Sequence, residues 1–453
     1  MSLAPAASRP HIAERPLLPA LLARRVSRYA PLLPALATVL LLAVPVAAGN
    51  VSASGKVTPA DGASAVLVLT AAVRCARARR RPLTAVAAVV LGAPAVGFAV
   101  AAVTSLDPGA GATGFLRYVQ VFVAVPAAVV LLLRDRRDFA VLAGAIVLLA
   151  LVQGAVGTWQ YATASGASYM GQDVRAVGTF GPSDVMGMAT VVAYGLVVAM
   201  GYALAPPSPG RPRRLRMAAA CCAGLLVVPL AVSFSRGTWI ATAVACGAMI
   251  LLAGPRRAVG VFAGLAAAGV VLVGGLGVGS QAIGARAASI TQVTAVPDPS
   301  VNDRFTLWSA ALSMWREHPA AGVGLKRFPA ERDGHAPLSL SSASDTAGAG
   351  QGFTREPLLS PHNMYLLALS EQGLLGCSLL AGGWAAVLAL GLRRLRGCPP
   401  GARAAGLCAV GLLLWQCVDF AYADIGGPST VLTALLLGLA AWWALHAPEG
   451  AAR

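Results

Sequence analysis

A few side chains in this chain carry chemistry, and each lies where an apolar run gives way to polar sequence. Arg236 occupies Ser233-Phe234-Ser235-Arg236-Gly237-Thr238-Trp239, a hairpin too short to carry a guanidinium far from a membrane boundary. A charge close to hydrocarbon is costly and usually has a partner or an anionic ligand. Arg304 follows Asn302-Asp303, and His362 stands between Pro361 and Asn363 at the mouth of another apolar run. Guanidinium groups grip phosphate oxygens in pairs of hydrogen bonds. Imidazole titrates near neutrality and takes a proton from a hydroxyl. The set points to an anion site beside a base. Glu371 comes about nine residues after His362, roughly 13 Å along a helix, which puts an ionisable group at membrane depth, where such groups face a bundle interior and pair. It could orient an arginine or His362, or brace two helices.

Each residue also has a plainer reading. Arg236 could snorkel to a lipid phosphate, Arg304 could balance Asp303, and His362 could bond backbone near a helix start. The segment around Arg304 favours the first view. Phe305, Trp308, Leu312 and Trp315 recur at helical spacing, and His318-Pro319 ends the pattern, predicting an amphipathic helix along the membrane surface. With Asn302 as N-cap, Arg304 falls in the first turn, where a cation opposes the helix dipole while free amides favour anions. That reads as a phosphate clamp. Arg316, Arg327, Arg332 and Arg355 read as surface residues, and His11, His318, His335 and His446 as structural or solvated.

The elements that position these groups are membrane helices. The chain has 453 residues, 57% hydrophobic and only 12% charged, with mean hydropathy +0.71; soluble domains carry roughly a quarter charged residues. The +17 net charge does not indicate nucleic-acid binding, because its arginines fall in short clusters between apolar runs rather than on one soluble face. Spans of about 20 apolar residues fall near 31–49, 60–76, 83–103, 115–133, 139–161, 185–204, 216–233, 237–254, 257–276, 363–391, 404–421 and 429–447. The fold class is all-α, a polytopic membrane protein of about 12 spans. Basic clusters (Arg24-Arg25-Arg28, Arg74 to Arg81, Arg134 to Arg137, Arg211 to Arg216, Arg256-Arg257, Arg393 to Arg403) occur at every second loop. Because cytoplasmic loops retain Lys and Arg, both termini are expected in the cytoplasm.

The resulting division is a basic arm at 1–30, spans at 31–276, an extracytoplasmic loop at 277–361, spans at 362–447 and a tail at 448–453. Trp159, Tyr161, Trp239, Tyr365 and Tyr422 fall at expected outer span ends, where amphipathic rings prefer the headgroup level. Residues 333–353 are low in apolar content and read as a mobile stretch that could close over a substrate or do nothing. The eight cysteines lie in or beside apolar runs without CxxC spacing, so packing is their expected role.

Ser235-Arg236-Gly237, Asn302-Asp303-Arg304 with Trp308, His318-Pro319 with Gly322-Val323-Gly324 and Phe328, Pro361-His362-Asn363 with Tyr365, and Glu371 to Gly376 together resemble the O-antigen ligase and O-antigen polymerase superfamily. Arg175 to Pro182, with its Gly-Thr-Phe and proline before a span, is similar to that family's pattern; Ser183-Asp184 departs from it where the family usually shows asparagine. The resemblance covers about 172–376 and implies glycosyl transfer at the outer membrane face. The donor would be a polyprenyl-diphosphate-linked glycan and the acceptor a glycan or lipid-linked hydroxyl, without metal or other cofactor, in cell-surface polysaccharide assembly. Carried over, His362 is the general base, Arg236 and Arg304 are diphosphate ligands, Arg175 is a further diphosphate ligand, and Glu371 and Asn363 support. Glycan ligation and repeat-unit polymerisation use the same bond and base, so both stay open. A transporter or flippase of lipid-linked sugars would instead show internal repeats and charges at mid-bilayer, and a membrane scaffold would need no base.

Overall fold

The computed structural model describes residues 28–45, 57–78, 83–169, 173–207, 212–254, 299–337, 340 and 358–446. Among them nine helices are long and apolar enough to cross a membrane: α2 (Pro59–Ala78), α3 (Ala85–Val103), α4 (Pro108–Leu132), α5 (Arg136–Ala162), α6 (Gly187–Leu204), α7 (Arg213–Ala231), α8 (Arg236–Ala253), α11 (Met364–Arg396) and α12 (Pro400–Asp419). Two further apolar helices are shorter, α1 (Ala30–Ala43) and α13 (Thr430–Leu445). α9 (Pro299–Glu317) and α10 (Phe328–His335) occupy the long polar segment. The spans and these helices match the all-α polytopic expectation. The span expected at 257–276 lies outside the described residues, as do Lys56, Arg286, Arg355, the basic arm to residue 27 and most of 333–353. The start of that last stretch is not loop but the end of α10.

Helix starts are set by local chemistry. Thr84, Asp107, Asp135, Ser235 and Asn363 each cap a helix by accepting a backbone N–H with the side chain, which satisfies donors the first turn leaves open. α6 and α12 are apolar on nearly every face, as helices buried in a bundle are. They pack on each other, and α8 and α13 pack against α12. Few polar groups interrupt this core, and they pair: the Tyr194 hydroxyl meets Gln416 and, at 2.9 Å, Thr433.

The bundle has two unlike ends. Arg403 donates to the Leu252 carbonyl at 2.7 Å, Arg394 to the carbonyls of Trp443 and His446 at 2.7 and 2.6 Å, and Arg28 pairs with Asp135 at 2.6 Å. Basic clusters separated in sequence therefore gather at one end. α8 and α12 run antiparallel, so Arg236, at the other end of α8 from Leu252, lies far from that cluster and beside the end of α12.

Two features depart from expectation. α9 begins at Pro299, not after Asn302; proline suits a first helical position because its missing N–H has no partner to lose. Arg304 therefore lies beyond the first turn, and the argument from free amides beside it does not hold. The helix also buries Leu307, Ala310, Ala311 and Met314, leaving Phe305 53% exposed and Trp308, Leu312 and Trp315 half-buried. Its aliphatic stripe, not its aromatic one, packs against α11. The second departure is an antiparallel ribbon, β1 (Ala167–Tyr169) with β2 (Asp173–Arg175), too short to leave a strand signature in sequence.

Candidate functional site

The turn that links α12 to α13, Asp419 to Asp424, is where the start of α8, α9 and the start of α11 meet. The backbone N–H of Met364 donates to the carbonyls of Phe420 at 2.8 Å and Ala423 at 3.0 Å, and the Asn363 amide donates to the Ala421 carbonyl at 3.1 Å. Asn363 also caps α11 by accepting from Leu366 N–H at 3.0 Å. One residue thus starts the helix and docks it, so His362 stands at the edge of the turn. From the other side a Cβ on Gly237 would lie 3.0 Å from the Tyr422 Cβ, which places Arg236, the first residue of α8, against the same turn. Arg304 is close enough to Asp419 to act on it electrostatically, and Asp419 is buried at the end of α12. α9 is tied in by Trp308, whose indole donates to the Pro361 carbonyl at 2.9 Å.

Backbone conformation marks the same places. His362 has φ 48° and Phe234, two residues before Arg236, has φ 51°. Side chains other than glycine seldom adopt this left-handed region, and residues held there cost about 1–3 kcal/mol and cluster at functional sites. The neighbours over-determine both: His362 sits between Pro361, bonded by Trp308, and the doubly anchored Asn363.

Arg175 reaches the site through the hairpin. Its Nε donates to the Ser233 carbonyl at 2.9 Å and an Nη to the Phe234 carbonyl at 3.2 Å, while Ala176 N–H donates to Val232 at 3.3 Å. Those bonds brace the turn that presents Arg236. The chain after Arg175 is fixed by two glutamines that the sequence reading passed over. Gln160 Oε1 accepts from Val177 and Gly178 N–H at 3.1 and 2.8 Å. Gln153, fully buried, accepts from Thr179 N–H at 2.9 Å and donates to its hydroxyl at 2.6 Å. A glutamine inside an apolar span was the signal available, since such a group must find partners.

Asp184 ends this segment. Its carboxylate accepts from Ser429 N–H at 3.1 Å and from Gly187 N–H. Enclosure of the carboxyl pushes its pKa up to about 6, more than these bonds draw it down.

Glu371 does not reach toward His362 or an arginine of the site. It is buried just before a break in α11 at Gly373, φ 64°. The segment after α9 fills the break: Val323 and Gly324 N–H donate to the carbonyls of Ser370 and Glu371 at 2.9 and 3.0 Å, and Leu374 and Leu375 N–H donate to Pro319 and Ala320 at 2.8 and 3.2 Å. Gly322, φ 70°, lies so close that a Cβ would fall 2.3 Å from the Glu371 carbonyl carbon. His318-Pro319 to Gly324 and Glu371 to Gly376, separate motifs in sequence, are two halves of one backbone joint.

The arrangement brings the chain at Arg236 and at His362, and the charge of Arg304, to one turn at the end of the bundle away from the basic clusters. Residues 221–381 match the sequence model of the family described as O-antigen ligase. The matched stretch contains Arg236, Arg304, His362 and both halves of the joint, while Arg175 and Asp184 precede it. No curated protein matches the chain. The match falls in a chain whose described residues include nine helices long and apolar enough to cross a membrane, and it supports the resemblance to the O-antigen ligase and polymerase superfamily.

Proposed function

We propose that this membrane protein, a glycosyltransferase of the O-antigen ligase and polymerase type, transfers a glycan from a polyprenyl-diphosphate carrier to an acceptor hydroxyl, with His362 as base. The observation that carries this reading is the convergence of α8, α9 and the start of α11 on the Asp419 to Asp424 turn. The basic clusters at the opposite end of the bundle favour a cytoplasmic position for that end, so the site faces outward.

In the proposed step the acceptor oxygen attacks the anomeric carbon of the donor sugar while the bond from that carbon to the phosphate oxygen breaks. The diphosphate leaves with the bonding electrons, and the hydroxyl proton passes to the His362 imidazole. Charge grows on the leaving group, so cations fixed beforehand stabilise the transition state more than the ground state. Arg236 and Arg304 take this role without a metal ion. Arg175 contributes by holding the turn that presents Arg236. Asn363 sets the start of α11 and so the position of His362. Ligation and repeat-unit polymerisation both fit.

The test is His362→Ala in purified protein reconstituted into liposomes with a lipid-diphosphate-linked oligosaccharide and an acceptor. Glycan transfer stops if the imidazole is the base. Full transfer by this variant would overturn the assignment of the base to His362, and absence of transfer by the parent protein would leave a transporter or scaffold in place of the enzyme.

A further inference from the structure

Glu371 is a buried ionisable group that the proposed chemistry does not use, and its carboxylate hydrogen bonds go to the backbone of one loop. Its carboxylate accepts the N–H of Phe328 at 3.2 Å and the N–H of Lys326, while its own carbonyl accepts Gly324 N–H at 3.0 Å. Alternate amides of a single loop, at 324, 326 and 328, therefore end on one residue of α11. The Lys326 side chain adds electrostatic attraction to the carboxylate. Lys326 is also held at φ 60°, a conformation that needs support from its surroundings.

The loop matters because of what lies at its two ends. Upstream it continues α9, which carries Arg304; downstream Phe328, fully buried, opens α10. α11 carries His362 and Asn363 immediately before its first turn. From the proposed site, then, Arg304 and His362 belong to separate segments, which pack together along α9 and α11 and are hydrogen-bonded at one end by Trp308 and Pro361 and at the other by the Glu371 clamp and the backbone joint beside it.

We infer that Glu371 is a positioning residue, which by gripping the 324–328 amides fixes the Arg304-bearing helix relative to His362. This rests on the reading of those two residues as the reacting site. Reach, not charge, is what the role requires. A glutamine keeps an oxygen at the same distance for Phe328 N–H, whereas an aspartate keeps the charge but withdraws it by about 1.5 Å, the length of one C–C bond.

The experiment compares Glu371→Gln and Glu371→Asp in the full-length protein, reading glycan transfer and, separately, amide hydrogen exchange across 318–328 by mass spectrometry. Glu371→Gln is expected to hold kcat within about 3-fold of the parent with near-parental exchange, and Glu371→Asp to lose about 10- to 100-fold in kcat, the scale of a supporting partner or a small misplacement. Exchange at Lys326 and Phe328 in Glu371→Asp should quicken by about 10-fold as those two amides lose their acceptor, while Gly324 N–H keeps the main-chain carbonyl. Transfer by Glu371→Asp equal to or better than that of Glu371→Gln would overturn the inference, as would unchanged exchange in Glu371→Asp. The exchange measurement needs no substrate, so it still judges the clamp if His362 proves dispensable for transfer.

Discussion

The Trp308 indole and the Pro361 carbonyl are joined at 2.9 Å, which ties the helix bearing Arg304 to the residue just before His362. Trp308 is half-buried and Pro361 buried, and a neutral hydrogen bond in that setting contributes on the order of 1 kcal/mol to stability. Its geometric consequence is larger, because a shift of about 1 Å between reacting groups can lower a rate a hundredfold.

Replacing Trp308 by Phe keeps an aromatic ring against Phe305, which it meets edge-on at 5.5 Å, and removes only the donor. Transfer is expected to fall by about 10-fold in kcat, with a melting temperature lowered by no more than about 3 °C. Steady-state transfer and thermal unfolding in detergent check this. Parental kcat would show that the tie does not set the geometry.

Arg236 and Arg304 make a second contrast. Lysine keeps the charge but offers a point donor in place of the planar fork that matches phosphate oxygens. Each Arg→Lys change is expected to lower kcat/KM for the lipid-diphosphate donor by about 10- to 100-fold, with alanine worse. KM for the acceptor should barely move. A loss confined to the acceptor would assign these side chains to the other substrate.

The spans and their order were legible in the sequence because membrane helices are defined by apolar length, which needs no partner to be read. The clustering of Arg28, Arg394 and Arg403 at one end follows from the same count of alternating loops. Arg236 and His362 stood out because a charge or imidazole at a span end is unusual. What escaped notice depends on contacts between distant segments. Gln153 and Gln160 looked like isolated polar residues until Val177 to Thr179 came to meet them. Asp419 gained meaning only beside Arg304. The joint between Pro319 to Gly324 and Ser370 to Leu375 is made by backbone groups, which every residue carries alike, so only its glycines were visible. The start of α9 was misplaced because Asn302 satisfies a local capping rule, whereas the helix already runs from Pro299 through it.

Asp184 yields a prediction in pH. Its folded pKa, raised to about 6 by enclosure of the carboxyl, exceeds the ordinary aspartate value of 3.8, so between these values the folded protein holds a proton that the unfolded chain has released. Stability therefore falls as pH rises through this window, and the cost is fully expressed above it. By the linkage of about 1.4 kcal/mol per unit of pKa, the cost is of the order of 2–3 kcal/mol at pH 8. Asp184→Asn keeps an oxygen for Ser429 N–H but carries no charge to bury. The variant should match the parent near pH 4 and melt higher by several degrees at pH 8, about 2–4 °C per kcal/mol for larger domains. Differential scanning fluorimetry of both proteins across pH 4–8 is the measurement. Parallel curves, or a variant less stable at the alkaline end, would mean that the carboxylate is stabilised where it sits and that its raised pKa is not a source of strain.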